Sequence, residues 1–76
     1  MYTGVNDKNN QELYEGDLFK HNDRLFVVKY LEKESVLVAI VVGDNRNWRS
    51  LDWVKNVRKY IRKVGNIKAN PELLNE

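Results

Sequence analysis

The residues best suited to contact a partner lie in the second half of the chain. Between residues 46 and 68, eight lysines and arginines accompany a single acid, Asp52, and two tryptophans and one tyrosine are interleaved with them. Cationic side chains neutralise phosphates, and aromatic rings stack on exposed bases or anchor protein interfaces. The candidate partner-binding residues, for a protein or a nucleic acid, are therefore Arg46, Trp48, Arg49, Lys55, Arg58, Lys59, Tyr60, Arg62 and Lys63.

The same tract also has a purely structural interpretation. Trp53, Val54 and Ile61 could belong to the core, with the charged side chains solvated around them, and Trp48 could fill one end of a barrel. The net charge of the chain is only +2, which gives a polyanion little non-specific attraction. We therefore favour a protein partner over a nucleic acid, and both stay open.

The remaining polar residues do not predict catalysis, a metal or a cofactor. His21 is the sole histidine and stands in a polar turn, where we expect it to be solvated; zinc requires several such ligands. Ser35 and Ser50 lack the Gly-x-Ser-x-Gly surroundings of a nucleophile, and Ser50 is more typical of a helix cap. The sequence contains no cysteine and its glycines are isolated, so thiolate chemistry and a phosphate-binding loop are excluded.

The acids near the start of the chain also have a structural interpretation. Residues 7–12 lack the central glycine and distant glutamate of a calcium loop, so we predict a polar turn. Glu12, Glu15 and Asp17 flank Gly16, and we expect an open turn in which solvation keeps their carboxylates ionised. Asp17 should accept backbone N–H groups of its own turn.

Length and apolar patterning predict one small domain over residues 1–76. The chain has 76 residues, of which 42% are hydrophobic. Residues 24–31 and 36–42 are rich in β-branched and aromatic types, which predicts an antiparallel hairpin at the centre of the fold. Val28, Val38 and Ile40 should be buried in it. The apolar run 36–42 is too short to span a membrane, and the polar residues after Met1 predict no signal peptide.

The other segments give weaker or conflicting signals. Residues 2–12 and 43–47 are rich in turn-forming types and are predicted as loops, with a strand beginning near residue 18. Apolar residues from 51 to 64 recur at spacings of three and four, which by itself predicts one helix over 51–63. That stripe consists of Leu51, Val54, Val57, Ile61 and Val64.

Two segments at the ends of the chain resemble a known family. Residues 3–18 read TG-x-x-DKN-x-x-ELYEGDL, and residues 64–74 read VGNI-x-x-NPELL. The combination resembles the YopX family of phage and prophage proteins. The resemblance implies a mainly β fold, a small SH3-like β-barrel, and no known reaction.

The resemblance also bears on the ambiguous helical stripe. In the family the stretch ending in GNI is a strand, so we predict a short helix over about 50–57 before a last strand over about 59–67. A C-terminal helical turn should follow near residues 70–74, with Pro71 at its first position and Asn70 as its cap. We expect the two family segments to pack together, with Tyr14 and Leu18 near Ile67 or Leu73.

We therefore expect a non-enzymatic binding module of phage or prophage origin in the bacterial host cytoplasm. It would contact and modulate a host or phage macromolecule, with a protein favoured, including a host defence or regulatory machine. One alternative is a nucleic-acid-binding small β-barrel that uses residues 46–68, and another is a structural or assembly protein. We expect no cofactor, metal or membrane partner, and the oligomeric state stays open.

Overall fold

Seven β-strands make up most of the protein in the computed structural model, which describes residues 1–75. The strands are β1 (Tyr2–Asn6), β2 (Glu12–Tyr14), β3 (Asp17–His21), β4 (Arg24–Leu31), β5 (Val36–Val41), β6 (Asp44–Ser50) and β7 (Ile61–Asn66). One helix, α1 (Leu51–Asn56), and a 3-10 turn (Arg58–Tyr60) connect β6 to β7. A second 3-10 helix, Pro71–Asn75, follows β7. The mainly β class, the helix before the last strand and the C-terminal turn are confirmed.

The strands form two antiparallel sheets. One contains β1 and β2, and the other has five strands in the order β6-β5-β4-β3-β7. The central hairpin is confirmed, because β4 and β5 pair continuously from Phe26 with Val41 to Leu31 with Val36. Val28, Val38 and Ile40 are buried, as predicted.

The larger sheet stays open, so the expectation of a closed SH3-like barrel is wrong. Its edge strands β6 and β7 do not pair with each other. Two features account for this. The chain between them is used in α1 and the 3-10 turn, and the outer edge of β7 already bonds to the loop after β1. There the N–H of Lys8 donates to the Ile61 carbonyl at 3.0 Å, and the N–H of Lys63 donates to Asp7 Oδ2 at 2.8 Å.

Both faces of the five-stranded sheet are covered, which explains why β4 and β5 are apolar on both sides. On one face Phe19 and Phe26 stack across β3 and β4 with ring centroids 5.2 Å apart, and they pack in one buried cluster with Val5, Leu13 and Val54 from β1, β2 and α1. On the other face a second cluster surrounds Leu18, Leu25, Val27, Val38 and Ile40, with Ile67 and Leu73 packed against it.

The helical stripe after residue 50 is a helix only at its start. Ser50 caps α1, because its Oγ accepts the N–H of Trp53 at 3.2 Å, as predicted for a capping serine. The helix ends at Asn56, and Ile61 is fully buried as the first residue of β7. The single helix over 51–63 is therefore wrong and the split into helix and strand is confirmed, since pairing with β3 satisfies the backbone of residues 61–66.

Two segments predicted as loops contain strands. Residues 2–12 include β1 and the start of β2, and residues 43–47 lie largely in β6. In β1, Thr3 Oγ1 donates to the Leu13 carbonyl at 2.8 Å and accepts the N–H of Val5 at 3.0 Å. Both strands are short of apolar residues, so backbone pairing with the adjacent strand, β2 or β5, fixes their conformation rather than an apolar pattern of their own.

The two family segments pack together and Leu18 lies near Ile67 and Leu73, as predicted, whereas the Tyr14 ring lies against the Tyr2 ring with centroids 5.4 Å apart. Leu18 pairs with Gly65, the N–H of Ile67 donates to the Gly16 carbonyl at 2.9 Å, and Ile67 and Leu73 pack against the cluster that contains Leu18. Gly16 adopts a φ of 91°, which a side chain would strain. Pro71 is the first residue of the terminal 3-10 helix. Among the described residues, no helix has the length and apolarity needed to cross a bilayer.

Candidate partner-binding surface

Strand β6 displays Trp48 at one edge of the larger sheet. The strand pairs with β5, where Ile40 lies opposite Trp48, and its other side is an edge of the sheet. Trp48 is 52% exposed, so the expectation that it fills the end of a barrel is wrong. With the sheet open, there is no barrel interior for the indole to enter.

Trp48 borders an apolar groove of about 490 Å³ between β5, β6 and the start of α1. Val36 is 44% exposed beside it, while Ser50 and Asp52 provide a polar rim. We call this surface the Trp48 groove; its lining is Val36, Leu37, Val38, Trp48, Ser50, Leu51 and Asp52. A large exposed aromatic ring next to a small apolar recess is typical of a residue that anchors a protein interface.

Three of the candidate cations bind within the protein itself. Lys63 Nζ lies 3.0 Å from Asp17 Oδ2 and donates to the Glu12 carbonyl at 3.3 Å. Arg58 donates through a guanidinium N–H to the Asp7 carbonyl at 3.3 Å. Both therefore tie the end of the basic tract to the first turns of the chain.

Arg49 is the third such cation. Its guanidinium donates to the Trp48 carbonyl at 3.2 Å and to Asn47 Oδ1, and it lies 5.6 Å from the centre of the Trp53 ring. These contacts hold the half-buried side chain against α1.

The other candidate cations are exposed, and they do not form one surface. Arg46 lies on β6 beside Trp48. A second group follows α1, the 3-10 turn and β7, and we call it the basic ridge: Lys55, Lys59, Tyr60 and Arg62. Three strands separate β6 from β7 in the sheet, so the sequence tract is divided between its two edges.

One member of the basic surface lies outside the tract 46–68. Lys20 on β3 pairs directly with Arg62 on β7, so two cations project from the same face of the sheet. Tyr60 is 72% exposed at the start of this region. The sequence gives no indication that Lys20 lies near Arg62, because that proximity depends on the register between β3 and β7.

Asp7 is fully buried and binds three backbone N–H groups. Its Oδ1 accepts from Asn9 and Gln11, both at 2.9 Å, and its Oδ2 accepts from Lys63. The prediction of a polar turn is confirmed. The carboxylate oxygens that could bind calcium are instead bonded to the backbone.

Asp17 is also buried, so the expectation of an open, solvated turn is wrong for this residue. It accepts the N–H of Tyr14 at 2.7 Å, as predicted, and the Asn66 side-chain amide at 3.2 Å, in addition to its ion pair with Lys63. The turn is closed by β7, which the local sequence does not show. The acids of the opening segment therefore hold the chain ends together.

Glu12 and Tyr14 form a surface pair beside this turn. The Tyr14 hydroxyl donates to Glu12 Oε1 at 2.9 Å. That hydrogen bond, and the negative charge of Glu12 next to it, raise the pKa of the Tyr14 phenol.

His21 is half-buried rather than solvated in a turn. Its ring meets the Trp53 ring edge to face, with centroids 4.9 Å apart. Trp53 itself is half-buried, whereas Val54 and Ile61 belong to the core, as the structural interpretation of the tract required.

The fold and these surfaces define a small domain of two antiparallel sheets whose buried acids hold its ends together. The chain belongs to the YopX family: the family model described as YopX protein matches residues 1–75, which includes the central segments as well as the two ends. A search of curated proteins finds no similar sequence.

Proposed function

We propose that this protein is a non-enzymatic binding module, encoded by a phage or prophage, that contacts and modulates another protein in the bacterial host cytoplasm. The observation that supports it most is Trp48, which is 52% exposed on the rim of an apolar groove. The YopX resemblance supports the phage or prophage origin. The partner is a host or phage protein, and a host defence or regulatory machine fits such an origin.

The chemistry of the Trp48 groove favours a protein over a polyanion. Its lining is mainly aliphatic, and its rim includes the acid Asp52, which would repel phosphates. Interface energy concentrates in buried aromatic anchors surrounded by a polar rim. A partner that buries Trp48 would remove the most exposed apolar surface of β6 from water.

A nucleic acid bound by the basic ridge is the second candidate. Tyr60 is 72% exposed and is flanked by Lys59 and, two positions on, by Arg62, an arrangement that suits stacking on a base beside phosphate contacts. It ranks second because Arg49, Arg58 and Lys63 are engaged within the protein. A structural or assembly role is the third candidate and uses the same Trp48 groove between copies.

Capture from a bacterial lysate, with and without nuclease, tests this proposal. The tagged full chain should retain a discrete protein after nuclease treatment. Trp48→Ala should lose that protein, while the matched aromatic variant Tyr60→Ala should keep it. Circular dichroism of both variants checks that each is folded. Nuclease-sensitive capture that depends on Tyr60 and not on Trp48 would contradict the proposal and favour the basic ridge.

A further inference from the structure

A second recess lies on the opposite face of β6 from Trp48. In the β5–β6 ladder Ile40 lies opposite Trp48 and Ala39 opposite Arg49, so the two β6 side chains point to opposite faces. On the Arg49 side there is an open cleft of about 440 Å³. We call it the Arg24–Arg49 cleft; its lining includes His21, Asp23, Arg24, Phe26, Arg49 and Trp53.

Aromatic rings form the floor and one wall of this cleft. Phe26 is 1% exposed and lies at the base of the cleft. The centroid of the Trp53 ring lies 5.3 Å from that of Phe26 and 4.9 Å from that of His21. Trp53 is held because Ser50 caps the first turn of α1. The wall is therefore a preorganised apolar surface that is half open to solvent.

The cleft carries two guanidinium groups without a carboxylate partner. Within residues 1–75 the one salt bridge joins Lys63 to Asp17, so neither Arg24 nor Arg49 is paired there. Arg49 is fixed by Trp53 and the β6 backbone, and a guanidinium has five N–H donors, so others are free. The one acid in the lining is the exposed Asp23.

We propose that the Arg24–Arg49 cleft binds a small ligand that combines an oxyanion with a planar or apolar body. Phosphate monoesters and carboxylates share this chemistry, because a guanidinium fork binds either group with two parallel hydrogen bonds. The body of the ligand lies against Trp53. A volume near 440 Å³ is in the range of small-molecule sites. This site does not depend on a protein bound at the Trp48 groove.

Tryptophan fluorescence measures binding directly. In the full chain carrying Trp48→Phe, Trp53 is the sole tryptophan, and its signal reports on the cleft. Inorganic phosphate, phenyl phosphate and benzoate are titrated at low, constant ionic strength. We expect saturable quenching by phenyl phosphate or benzoate, tighter than by inorganic phosphate. The organic probe that binds more tightly shows whether the cleft prefers a phosphate or a carboxylate.

Charge variants then locate the site. Arg24→Gln and Arg49→Gln should each weaken binding about tenfold or more, because each removes charged hydrogen bonds. Lys29→Gln, which removes an exposed cation on the same strand as Arg24 but outside the cleft, is the matched control and should change nothing. Asp23→Asn should tighten binding. Arg24 is an exposed residue at the start of β4, so its variant tests the site without disturbing Trp53.

Several results would overturn the proposal. They are the absence of saturable quenching by all three probes at millimolar concentration in folded protein, an equal loss of binding in Lys29→Gln, and weaker binding in Asp23→Asn. Inorganic phosphate that binds as tightly as phenyl phosphate would remove the role assigned to the Trp53 wall. Melting curves of each variant confirm that it is folded.

Discussion

The two edge strands of the larger sheet differ in how their outer edges are covered. At β7, the loop that contains Asp7 forms hydrogen bonds with the backbone of Ile61 and Lys63. The side chain of Lys63 also forms an ion pair with Asp17. At β6, the strand pairs with β5 and displays Trp48 at the edge of the sheet. Unprotected sheet edges invite pairing with other chains. Strand β7 is therefore closed by contacts within the chain, whereas β6 keeps an exposed edge, which is where we propose that a partner binds.

Removing the carboxylate that closes β7 should have the largest effect. Asp7→Ala leaves the N–H groups of Asn9, Gln11 and Lys63 without their acceptor, and we expect it to destabilise the protein by about 4 kcal/mol. Urea denaturation measures this. Asp44→Ala, which removes an exposed acid at the start of β6 that accepts the N–H of Arg46, is the matched control and should cost only about 1 kcal/mol or less. Equal effects would remove the contrast between the edges.

Truncating the residue beneath Trp48 should have the next largest effect. Ile40 is 9% exposed and lies opposite Trp48, so Ile40→Ala should cost about 3 kcal/mol by leaving a cavity. Val36→Ala in the same strand changes a 44% exposed side chain and should cost less than about 1 kcal/mol. If Ile40→Ala melts at the temperature of the unmodified protein, the core assignment under β6 is wrong.

A methyl group at position 65 should disturb the closure of the chain ends. A Cβ on Gly65 would lie 2.5 Å from Asn70 Oδ1, which accepts the N–H of Asn66. Gly65→Ala should therefore cost about 1–2 kcal/mol through the displaced hydrogen bond. In a double-mutant cycle with Asn70→Ala the two costs should be less than additive. Strict additivity would show that the two residues do not interact.

Adjacent cations on β7 should differ in their contributions to stability. Lys63 is paired with buried Asp17, so Lys63→Gln should cost about 1–2 kcal/mol, whereas exposed Arg62→Gln should cost close to nothing. Chemical denaturation of the two variants separates a cation that holds the fold from one free to meet a ligand. A larger loss from Arg62→Gln would reverse that assignment.

The Glu12–Tyr14 pair should give the smallest effect, seen as a shift in titration. Hydrogen bonding to Glu12 raises the pKa of Tyr14 above the ordinary value of 10.0 in the folded protein. The pair therefore stabilises the folded state fully at pH values below the pKa that Tyr14 has in the unfolded chain. This contribution is lost as the pH rises through the higher pKa that Tyr14 has in the folded protein. The difference in phenolate absorbance between the protein and Tyr14→Phe isolates this group. Glu12→Gln should lower the pKa, and Glu15→Gln should not; the opposite pattern would contradict the pair.

Much of the larger sheet could be predicted from the sequence, because its central strands are locally distinctive. The runs 24–31 and 36–42 are rich in β-branched and aromatic residues, which is typical of buried strands, and Ser50 marks the start of α1. The strand over residues 61–66 could be predicted only with the YopX resemblance, because Ile61 and Val64 continue the apolar spacing of a helix. The position of these residues in a strand depends on pairing with β3, and the spacing of apolar residues within 51–64 gives no information about that pairing.

The edge strands and the site could be predicted only in part. Strand β6 is polar, since its single large apolar residue, Trp48, faces outwards, and so its sequence resembles a loop. The burial of Asp7 and Asp17 depends on Lys63, which is more than forty residues away in the chain. For the same reason, the sequence could identify the basic and aromatic residues but not divide them between those that hold the fold and those left exposed.

Photo-cross-linking at the two exposed aromatic positions tests the central claim most directly. Benzoylphenylalanine is introduced in place of Trp48 or, in a separate variant, of Tyr60, and the full chain is irradiated in bacterial cytoplasm treated with nuclease. We predict a discrete protein adduct from position 48 and none from position 60. An adduct from position 60 alone, equal adducts from both positions, or none from position 48 would contradict it.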